Sequence, residues 1–585
     1  MIPFQTCKQP CEQTCPKDIP WAVTVVSEID CWSKSTLKTL NTSQRDIAAL
    51  FPKQVLFPCN SAYWTYRTVI MKTYNWFPLF LLVPTSESLF DTMWAFLQQY
   101  PSCNLWVMSG GHSNLSPQQY TVGLVTRKLN KIQKRNKRVI CGGGTLQGAL
   151  YQVLLNSTTG VELLPPRFDA HTCYAAKLRP PILGGGQDGD QDGGGQNGGG
   201  GDQNGGGQDG SDQNGGDQNG QNAIGNAIGN DEMVHTTLLG NAATVGIAAV
   251  VMGGGVGALY RMIGLAMDNV LSFHLSTPAQ GLLHCRPDSP VQIERDCFEA
   301  QLGSAGANFG ILTKLELALK KVPDVVLQFE LAIESSESNE CVALISALLQ
   351  FGVDAPREVV LEISALRMQQ DVRFRLYGSW YGAPQGVDVL EQPWFQVYRL
   401  AAPSATYSQY WQTYAESSVE QAIYKYYPLR FTKTWFLWSA DQIPPSSETE
   451  DAAQHCYDQI MEPVLISGTI RRAITLRCMG GAILDSPRYF AARRARIFGI
   501  FSIAFDLERY SNVQYTWLNE TWSPLSVYGL QAPGTGVPLS YANFPFPVPD
   551  WQSMFYGDAS RVAFLQYVKS QTDPDHLLET EIGVL

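Results

Sequence analysis

The stretch Ser109-Gly-Gly-His-Ser113 is the centre of the patterns that decide the fold. It directly follows the apolar run from Leu105 to Met108, which has the length and composition of a buried strand. Two adjacent glycines let the backbone pass close to a flat neighbouring group, and a histidine sits on the same turn. A histidine after two glycines is also typical of an ordinary loop. The motif alone therefore does not distinguish a functional histidine from a loop histidine, and the neighbouring segments are needed to do so.

Segments on both sides of this turn alternate between strand and helix. Upstream, the buried run from Leu79 to Val83 precedes a helix whose apolar side chains share one broad face, namely Leu89, Phe90, Met93, Trp94, Phe96 and Leu97. Downstream, the run from Val139 to Cys141 leads into a glycine turn at 142–144 and a second helix. This rhythm predicts an α+β cofactor domain, with glycine turns where backbone approaches a ligand.

A second glycine motif consists of Thr244-Val-Gly246 and the glycine-rich run 253–257. Consecutive glycines after an apolar run can present backbone N–H groups to a phosphate. Gly253, Gly255 and Ala258 also fit the Gly-x-Gly-x-x-Ala dinucleotide fingerprint. The acidic residue expected about 20 positions later is missing, so an NAD(P)-type Rossmann enzyme is the weaker alternative.

Composition describes a large globular protein. At 585 residues the chain exceeds one hydrophobic core, so two or more domains are expected. With 44% hydrophobic and 16% charged residues, disorder over most of the length is excluded. A net charge of −11 argues against a nucleic-acid partner, and no apolar stretch is long enough to span a membrane. No signal peptide is recognisable, so we expect a soluble protein of unknown compartment.

One segment differs from all others. From Gly184 to Gly220 the chain contains 18 glycines and seven aspartates, together with Gln, Asn and one Ser, but no Lys or Arg. Because it has no apolar side chains to bury, we predict a disordered insertion over 181–232. A calcium-binding repeat is the alternative, although the segment has no fixed period. No metal site is predicted, since Cys7, Cys11 and Cys15 lack the paired spacing of a zinc site.

Taken together, these segments resemble the FAD-linked oxidases of the vanillyl-alcohol oxidase superfamily, most closely the berberine bridge enzyme-like group. The likeness also rests on Gly264-Leu-Ala-Met-Asp-Asn-Val270, on the run from Phe298 to Ile311 and on Tyr541-Ala-Asn543. It extends from about Pro78 to Pro323, apart from the Gly-rich insertion, and returns from Tyr541 to about Leu578. The probability that several motifs match in the same order by chance is very small.

The resemblance implies a PCMH-type FAD-binding domain of two α/β subdomains, followed by a substrate domain with an antiparallel sheet covered by helices. Alternating runs after Val322, such as Val359 to Ile363, are consistent with that sheet. The expected divisions are an N-terminal extension at 1–75, the FAD-binding domain at 76–321, the substrate domain at 322–535 and a segment at 536–585 that returns to the FAD-binding domain.

The family's motifs also imply roles for single residues. The matching histidine bonds covalently to the flavin 8α-methyl in this family, which implies that role for His112. The matching tyrosine is the general base in several members, which points to Tyr541, although a phenol with a pKa near 10 needs donors or positive charge nearby. The other cofactor-binding residues implied are Ser109, Gly110, Gly111, Ser113, Thr244, Val245, Gly246, Gly253, Gly254, Gly255, Gly257, Asn308, Phe309, Gly310, Ile311 and Asn543.

Several positions depart from the family's pattern. Ala242 stands where many members carry a cysteine with a second flavin link, so a single covalent link through His112 is expected. Met108 replaces the arginine that commonly precedes the Ser-Gly-Gly-His segment, and the aspartate usual near Val125 is missing. The position of Val245 is where the family tunes the access of oxygen to the flavin, and a small residue there resembles the members that admit oxygen.

The implied activity is that of an FAD-dependent oxidase. Hydride would pass from a small-molecule alcohol, sugar or phenolic or alkaloid-like substrate to FAD, and O2 would reoxidise the flavin and give hydrogen peroxide. The partners expected are therefore this substrate and O2, and family members are often secreted. The alternative is a catalytically retired oxidase fold with a structural or interaction role, motivated by the missing cysteine and arginine.

Overall fold

The computed structural model describes most of the chain, namely residues 33–67, 77–110, 121–155, 233–238, 240, 242–368, 371–422, 429–462, 469–505, 512–546, 548–578 and 583–584. Four sets of sequence predictions lie outside these residues: the insertion 181–232, the motif residues Gly111, His112 and Ser113, the cysteines Cys7, Cys11 and Cys15, and the first residues of the N-terminal extension.

The strands of the first half form three sheets, with bounds β1 (Val55–Leu56), β2 (Leu81–Leu82), β3 (Asn104–Met108), β4 (Thr121–Val125), β5 (Ile132–Arg135), β6 (Arg138–Gly142), β7 (Met233–Thr236), β8 (Val270–Thr277), β9 (Gly281–Cys285), β10 (Ile311–Ala318) and β11 (Lys320–Pro323). A mixed four-stranded sheet has the order β1-β2-β4-β3, with β2 and β3 both parallel to β4. An antiparallel five-stranded sheet has the order β5-β6-β10-β8-β9, and β11 pairs with β7.

The helix between β2 and β3 packs these two larger sheets together. It spans Phe90–Gln99 and buries the apolar face that the sequence predicts. Its Phe96 ring contacts Phe51 and Phe80, with centroid separations of 6.1 and 5.7 Å. Its Trp94 Nε1 donates a hydrogen bond to Ser276 Oγ on β8 at 2.8 Å. The predicted β-α-β unit is therefore present, with β4 inserted between its two parallel strands.

A seven-stranded antiparallel sheet dominates the second half, with bounds β12 (Val325–Glu334), β13 (Val359–Met368), β14 (Asp371–Tyr381), β15 (Thr406–Thr413), β16 (Leu429–Ser439), β17 (Thr469–Cys478) and β18 (Ala495–Phe505). Its order is β15-β12-β14-β13-β17-β18-β16. Buried and half-buried residues alternate along β13, which is the pattern of a strand with one covered face. The second face carries polar side chains, among them Glu362 and Ser364.

The helices that begin and end within the described residues are α1 (Gln44–Leu50), α2 (Ser61–Tyr66), α3 (Phe90–Gln99), α4 (Gln147–Leu155), α5 (Ile247–Met252), α6 (Tyr260–Ile263), α7 (Gln292–Gln301), α8 (Ser338–Phe351), α9 (Gln396–Ala401), α10 (Tyr414–Ala422), α11 (Ser446–Met461), α12 (Asn512–Trp522), α13 (Trp551–Tyr556) and α14 (Ala559–Thr572). Helices α8 and α11 pack on each other and on β13 and β17. No helix among the described residues combines the length and hydropathy that crossing a membrane requires.

The end of the chain returns to the first half, where α14 packs on α7. Lys569 Nζ forms a buried salt bridge with Asp573 Oδ2 at 2.6 Å and donates a hydrogen bond to the carbonyl oxygen of Asn308 at 2.9 Å. The N–H of Val584 donates to Asn308 Oδ1 at 3.1 Å. The turn before β10 is thus held by the last residues of the chain.

The α+β class predicted from the sequence is confirmed, whereas the two subdomains and the domain boundaries stay predictions. The Rossmann alternative is wrong. Its fingerprint requires a strand directly before the glycines, but the run 253–257 directly follows helix α5.

Candidate active site

The turn after β3 is held by an arginine that the sequence patterns did not single out. Arg127 Nε donates a hydrogen bond to the carbonyl oxygen of Ser109 at 2.8 Å, and its Nη2 donates to that of Gly110 at 3.4 Å. Burial lowers the pKa of Arg127 below its ordinary value, but a guanidinium stays protonated in proteins. A cation therefore lies beside this turn even though Met108 replaces the expected arginine. A signal for this contact existed in the sequence. Residues that follow two neighbouring parallel strands lie at the same edge of the sheet, and Ser109 and Arg127 come shortly after β3 and β4.

Two glycines allow separate segments to meet at this turn. A Cβ atom on Gly110 would lie 2.3 Å from the carbonyl oxygen of Thr244, and one on Gly246 would lie 2.1 Å from Ser109 Oγ. Gly246 also forms an antiparallel bridge with Leu146, just before α4. The structure thus brings together three motifs that are far apart in sequence.

The hydroxyl of Ser109 tests whether these residues fit FAD. Within the described part of the chain, its Oγ is buried and has no hydrogen-bond partner. A buried polar group left in this state costs about 1–3 kcal/mol. FAD carries ring carbonyl, ring nitrogen and phosphate acceptors, any of which could take this hydrogen bond. The residues therefore fit such a cofactor, and His112 follows only three positions later in the sequence.

The glycine run makes room for the returning chain. A Cβ on Gly253 would lie 1.9 Å from Asn543 Oδ1, and a Cβ on Gly254 would lie 2.8 Å from the Phe490 ring. The N–H groups of Gly253, Gly254 and Gly255 donate to Ala249 O, Val251 O and Tyr541 Oη. Protein acceptors therefore occupy all three, which removes the phosphate argument for these glycines. Their assignment to the cofactor, like that of Gly257, stays a prediction.

Tyr541 has the hydrogen-bond donors that a phenolate needs. Its Oη accepts a hydrogen bond from the Gly255 N–H at 3.0 Å and another from Asn543 Nδ2 at 3.1 Å. Burial raises the pKa of Tyr541 above its ordinary value, and these two hydrogen bonds oppose that shift. Both donors favour the deprotonated phenol, because each points a partial positive charge at the oxygen.

The returning chain places Tyr541 against the large sheet. The N–H of Tyr541 donates to Thr434 Oγ1 on β16 at 3.0 Å, and the preceding residues pair with the same strand. Its ring lies in an aromatic enclosure, with centroid separations of 5.3, 5.9, 6.2 and 6.5 Å to Phe498, Phe544, Phe436 and Phe490. Packing by the large sheet, the loop before β18 and the returning chain therefore restricts the orientation of the phenol.

A half-buried ion pair lies on the sheet face that carries Phe498, and the sequence motifs missed it. Arg477 Nε donates to Glu362 Oε2 at 2.7 Å, and a second bond runs from its Nη2 to the same oxygen. Arg477 is the cross-strand neighbour of Phe498, whose ring contacts Tyr541. Burial opposes the charge, but Glu362 raises the net pKa of Arg477 above its ordinary value. Arg477 thus contributes positive charge near the phenol.

Polar pairs continue across this face toward the sheet edge. Arg375 Nη1 forms a salt bridge with Glu330 Oε1 at 3.0 Å, and Ser379 Oγ donates to Gln328 Oε1 at 2.7 Å. The register puts Tyr377 opposite both Glu330 and Glu362. Because cross-strand neighbours point to the same side of a sheet, these groups form a polar surface that ends at Arg477.

Two other motifs form hydrogen bonds within the protein, and the first of them joins the two halves. In the segment after Gly264, Asp268 binds both outer nitrogens of Arg493, at 3.0 and 2.9 Å, and accepts a hydrogen bond from Ser486 Oγ at 2.6 Å. Both partners belong to the loop between β17 and β18. Asn308 Nδ2 donates to Ala305 O at 2.7 Å, so its amide is occupied by protein groups.

Four more of the residues predicted to contact the cofactor lie in packed surroundings, and their role stays a prediction. Phe309 and Ile311 are buried in apolar clusters, and a Cβ on Gly310 would lie 2.7 Å from the Ser276 carbonyl oxygen. Val245 is half-buried beside the Ser109 turn. Among the described residues, no group of three or more His, Cys, Asp or Glu side chains could hold a metal ion.

Comparison with known proteins gives partial matches in sequence and a nearly complete match in fold. No family model matches the chain. Berberine bridge enzyme-like C-1 from Nicotiana tabacum is 35% identical over 111 residues, which is 19% of each chain. (R)-6-hydroxynicotine oxidase from Paenarthrobacter nicotinovorans is 32% identical over 131 residues, covering 21% of this chain and 27% of the relative. The matches thus span about a fifth to a quarter of the curated relatives.

Solved structures match over almost the whole length. Physcomitrella patens BBE-like 1 has a TM-score of 0.65 at 15% identity and covers 93% of this chain and 100% of that one. The chain has the fold of the berberine bridge enzyme-like oxidases. Chitooligosaccharide oxidase matches this berberine bridge enzyme-like fold with a TM-score of 0.64 at 14% identity, covering 90% of this chain and 96% of that one. The resemblance drawn from the sequence motifs is therefore confirmed.

Proposed function

We propose that this berberine bridge enzyme-like chain is an FAD-dependent oxidase of small hydroxylated molecules. The observation that carries the proposal is the phenolic oxygen of Tyr541, which receives two hydrogen-bond donors where the returning chain meets the glycine run. Relatives in sequence and in fold that are named oxidases support it.

The first half would hold the cofactor. The Ser109 hydroxyl would donate a hydrogen bond to it, the segment from Thr244 to Gly246 would lie against it, and His112 would form the single covalent link. Bound FAD supplies hydride acceptance from a substrate C–H and reoxidation by O2, which releases hydrogen peroxide. The small Val245 would leave room for oxygen to approach.

Tyr541 would remove the proton from the substrate hydroxyl. For this its phenol must be deprotonated before the reaction, and its burial alone disfavours that form. The donors at Gly255 and Asn543 and the charge of Arg477 stabilise the phenolate in a water-poor enclosure, where each interaction is stronger than in bulk water.

The polar face of the large sheet supports a substrate rich in hydroxyl groups. Charged pairs such as Glu362 with Arg477 and Glu330 with Arg375 offer several donors and acceptors in a row. A planar alkaloid would take water from these pairs without replacing its hydrogen bonds, at a cost for each pair. Neighbours in fold that are named as a chitooligosaccharide oxidase and a xylooligosaccharide oxidase agree with a sugar-like substrate.

The retired-fold alternative is not favoured. Its motivation includes the loss of the arginine at Met108, but Arg127 brings a guanidinium to the same turn. The comparisons also include several proteins named as oxidases.

The test is an absorbance spectrum of the purified protein before and after acid precipitation. We expect yellow colour that stays with the pellet and is lost from the pellet of His112→Ala. The colour should remain in the matched variant His284→Ala, at an exposed position of strand β9. Tyr541→Phe should keep the colour but slow its bleaching by sugar oligomers roughly 10²- to 10⁴-fold. A folded protein that stays colourless with added FAD would contradict the proposal.

A further inference from the structure

One surface of the first half concentrates positive charge in an acidic protein. We define the basic face as eight exposed residues of the β5–β6 hairpin, of β7 and of β11, namely Lys131, Lys134, Arg135, Lys137, Arg138, His235, Lys320 and Lys321. The backbone pairs Lys321 with His235 and joins the hairpin to β11 through the Leu319 N–H and the Lys137 carbonyl at 2.9 Å. These residues therefore belong to one continuous surface.

Few of these charges are neutralised. Within the described residues, Arg138 forms a salt bridge with Glu316 at 2.6 Å, and Lys134 Nζ donates to the carbonyl oxygen of Leu154 at 2.9 Å. No described carboxylate lies within salt-bridge distance of the other lysines and arginines of the face, which are Lys131, Lys134, Arg135, Lys137, Lys320 and Lys321. Like charges on neighbouring strands repel each other, so an anionic occupant stabilises this surface.

The stretch 156–232, which includes the Gly-rich insertion, is flanked by described residues at the basic face. A shallow depression in the face is lined by Lys134, Arg135, Asn136, Leu154, Leu155, Val234 and His235. Leu155 is the last described residue before 156–232, and Met233 is the first one after it. The described residues on either side of this stretch therefore lie in or next to the depression.

The insertion carries the complementary charge. Its central part, 184–220, contains seven aspartates and no Lys or Arg. The shorter of its two connections, 221–232, reaches at most roughly 40 Å when fully extended. Tethering at both ends keeps these carboxylates at an effective concentration on the order of millimolar near the face.

We propose that the basic face binds the acidic segment 184–220 of the same chain. Each contact is a weak, exposed ion pair that salt screens within about 8–10 Å. The tether allows several of these ion pairs to form together, because the segment is already attached near the face and does not have to associate from solution. The face is then covered by this chain's own carboxylates and is not open to other polyanions. This inference is independent of the proposed enzyme activity.

The test is carbodiimide cross-linking of the full-length protein, which joins an aspartate carboxylate directly to a lysine amine. We expect peptides from 184–220 linked to Lys131, Lys134, Lys137, Lys320 or Lys321 in 20 mM salt, and several-fold fewer of them in 0.5 M salt. A mixture of ¹⁵N-labelled and unlabelled protein identifies the chain of origin, and the links should not pair the two isotopes. Their absence, mixed-isotope pairs as the main product, or an unchanged yield in high salt would each overturn the proposal.

Matched variants separate a specific face from general charge. Replacing Arg135, Lys137 and Lys320 by Gln should reduce links to the remaining lysines several-fold, whereas replacing the exposed Lys38, Arg45 and Lys53 by Gln should leave them unchanged. As a second measurement, a synthetic peptide of residues 184–220 should bind a deletion variant lacking this segment about tenfold more tightly than it binds the full chain. Equal binding by the two proteins would refute intramolecular occupancy.

Discussion

The phenolic oxygen of Tyr541 lies 3.0 Å from the backbone nitrogen of Gly255, which precedes it by 286 positions in the chain. This hydrogen bond joins the two halves of the molecule at the point where acid–base chemistry is proposed. The glycine run is needed at this point, because a Cβ on Gly253 would overlap the neighbouring Asn543 side chain. The candidate base is therefore positioned by backbone from one half and by sheet packing from the other.

Asn543 should set the pH dependence of the proposed reaction. In Asn543→Ala the phenolate loses one of its two hydrogen-bond donors, worth about 1.5–3 kcal/mol for a charged acceptor. The pKa of Tyr541 then moves further up, so the rising limb of the pH–rate profile shifts to higher pH by roughly one to two units. The reductive half-reaction at several pH values measures this, with Asn130→Ala as an exposed control. An unshifted limb would show that Tyr541 is not the base.

Substitution of Ser109 should weaken cofactor binding without lowering the stability of the protein that lacks FAD. Ser109→Ala removes a buried hydroxyl without a described partner, so the protein without FAD should be equally stable or more stable by about 1 kcal/mol. The stabilisation gained on adding FAD should shrink, because one hydrogen bond to the cofactor is lost. Thermal unfolding with and without FAD gives both values. If the gain from FAD is unchanged, the hydroxyl does not contact the cofactor.

Arg127 should control the retention of the flavin through the Ser109–Gly110 turn. Arg127→Lys keeps the charge but cannot reach both carbonyl oxygens with a planar fork, since an ammonium is a point donor. We expect a smaller fraction of covalently bound flavin per folded protein, measured from the acid pellet. Lys128→Gln, at the exposed neighbouring position, is the control. Equal flavin content in Arg127→Lys and wild type would argue against this role.

Lys433 should add a pH dependence to folding stability. Burial lowers its pKa from 10.5 to about 8, and its Nζ lies 4.3 Å from the Trp522 ring centroid and donates to Asn519 Oδ1. Between these values the unfolded chain holds a proton that the folded chain has released, so stability rises with pH through this window. The effect is at most about 3 kcal/mol.

Lys433→Met should remove that rise, which urea unfolding at pH 7.5 and pH 10 can measure. Other groups titrate in the same range, so the informative quantity is the difference between the variant and the wild type. The exposed Lys38→Met provides the baseline. The same rise in Lys433→Met as in wild type would mean that another group is responsible.

Local patterns in the sequence were sufficient for much of the first half. The apolar run before Ser109 and the amphipathic face of α3 follow from periodicity, which depends on neighbours within a few residues. Periodicity did not reveal what precedes the glycine run, because six apolar residues, Ile247–Met252, form a short helix there. A short apolar run of this kind is ambiguous between strand and helix until its packing is known.

The sequence by itself determined the α+β class, the resemblance to an oxidase group and Tyr541 as candidate base, since each rests on local pattern or ordered motifs. Only the tertiary structure decided what surrounds those residues. Arg127 beside Ser109, and Arg477 with Glu362 near the phenol, come from strands and turns far apart in the chain. Hydrogen bonds and charge act through space over a few ångströms, so their partners depend on strand order and register, which no local pattern specifies.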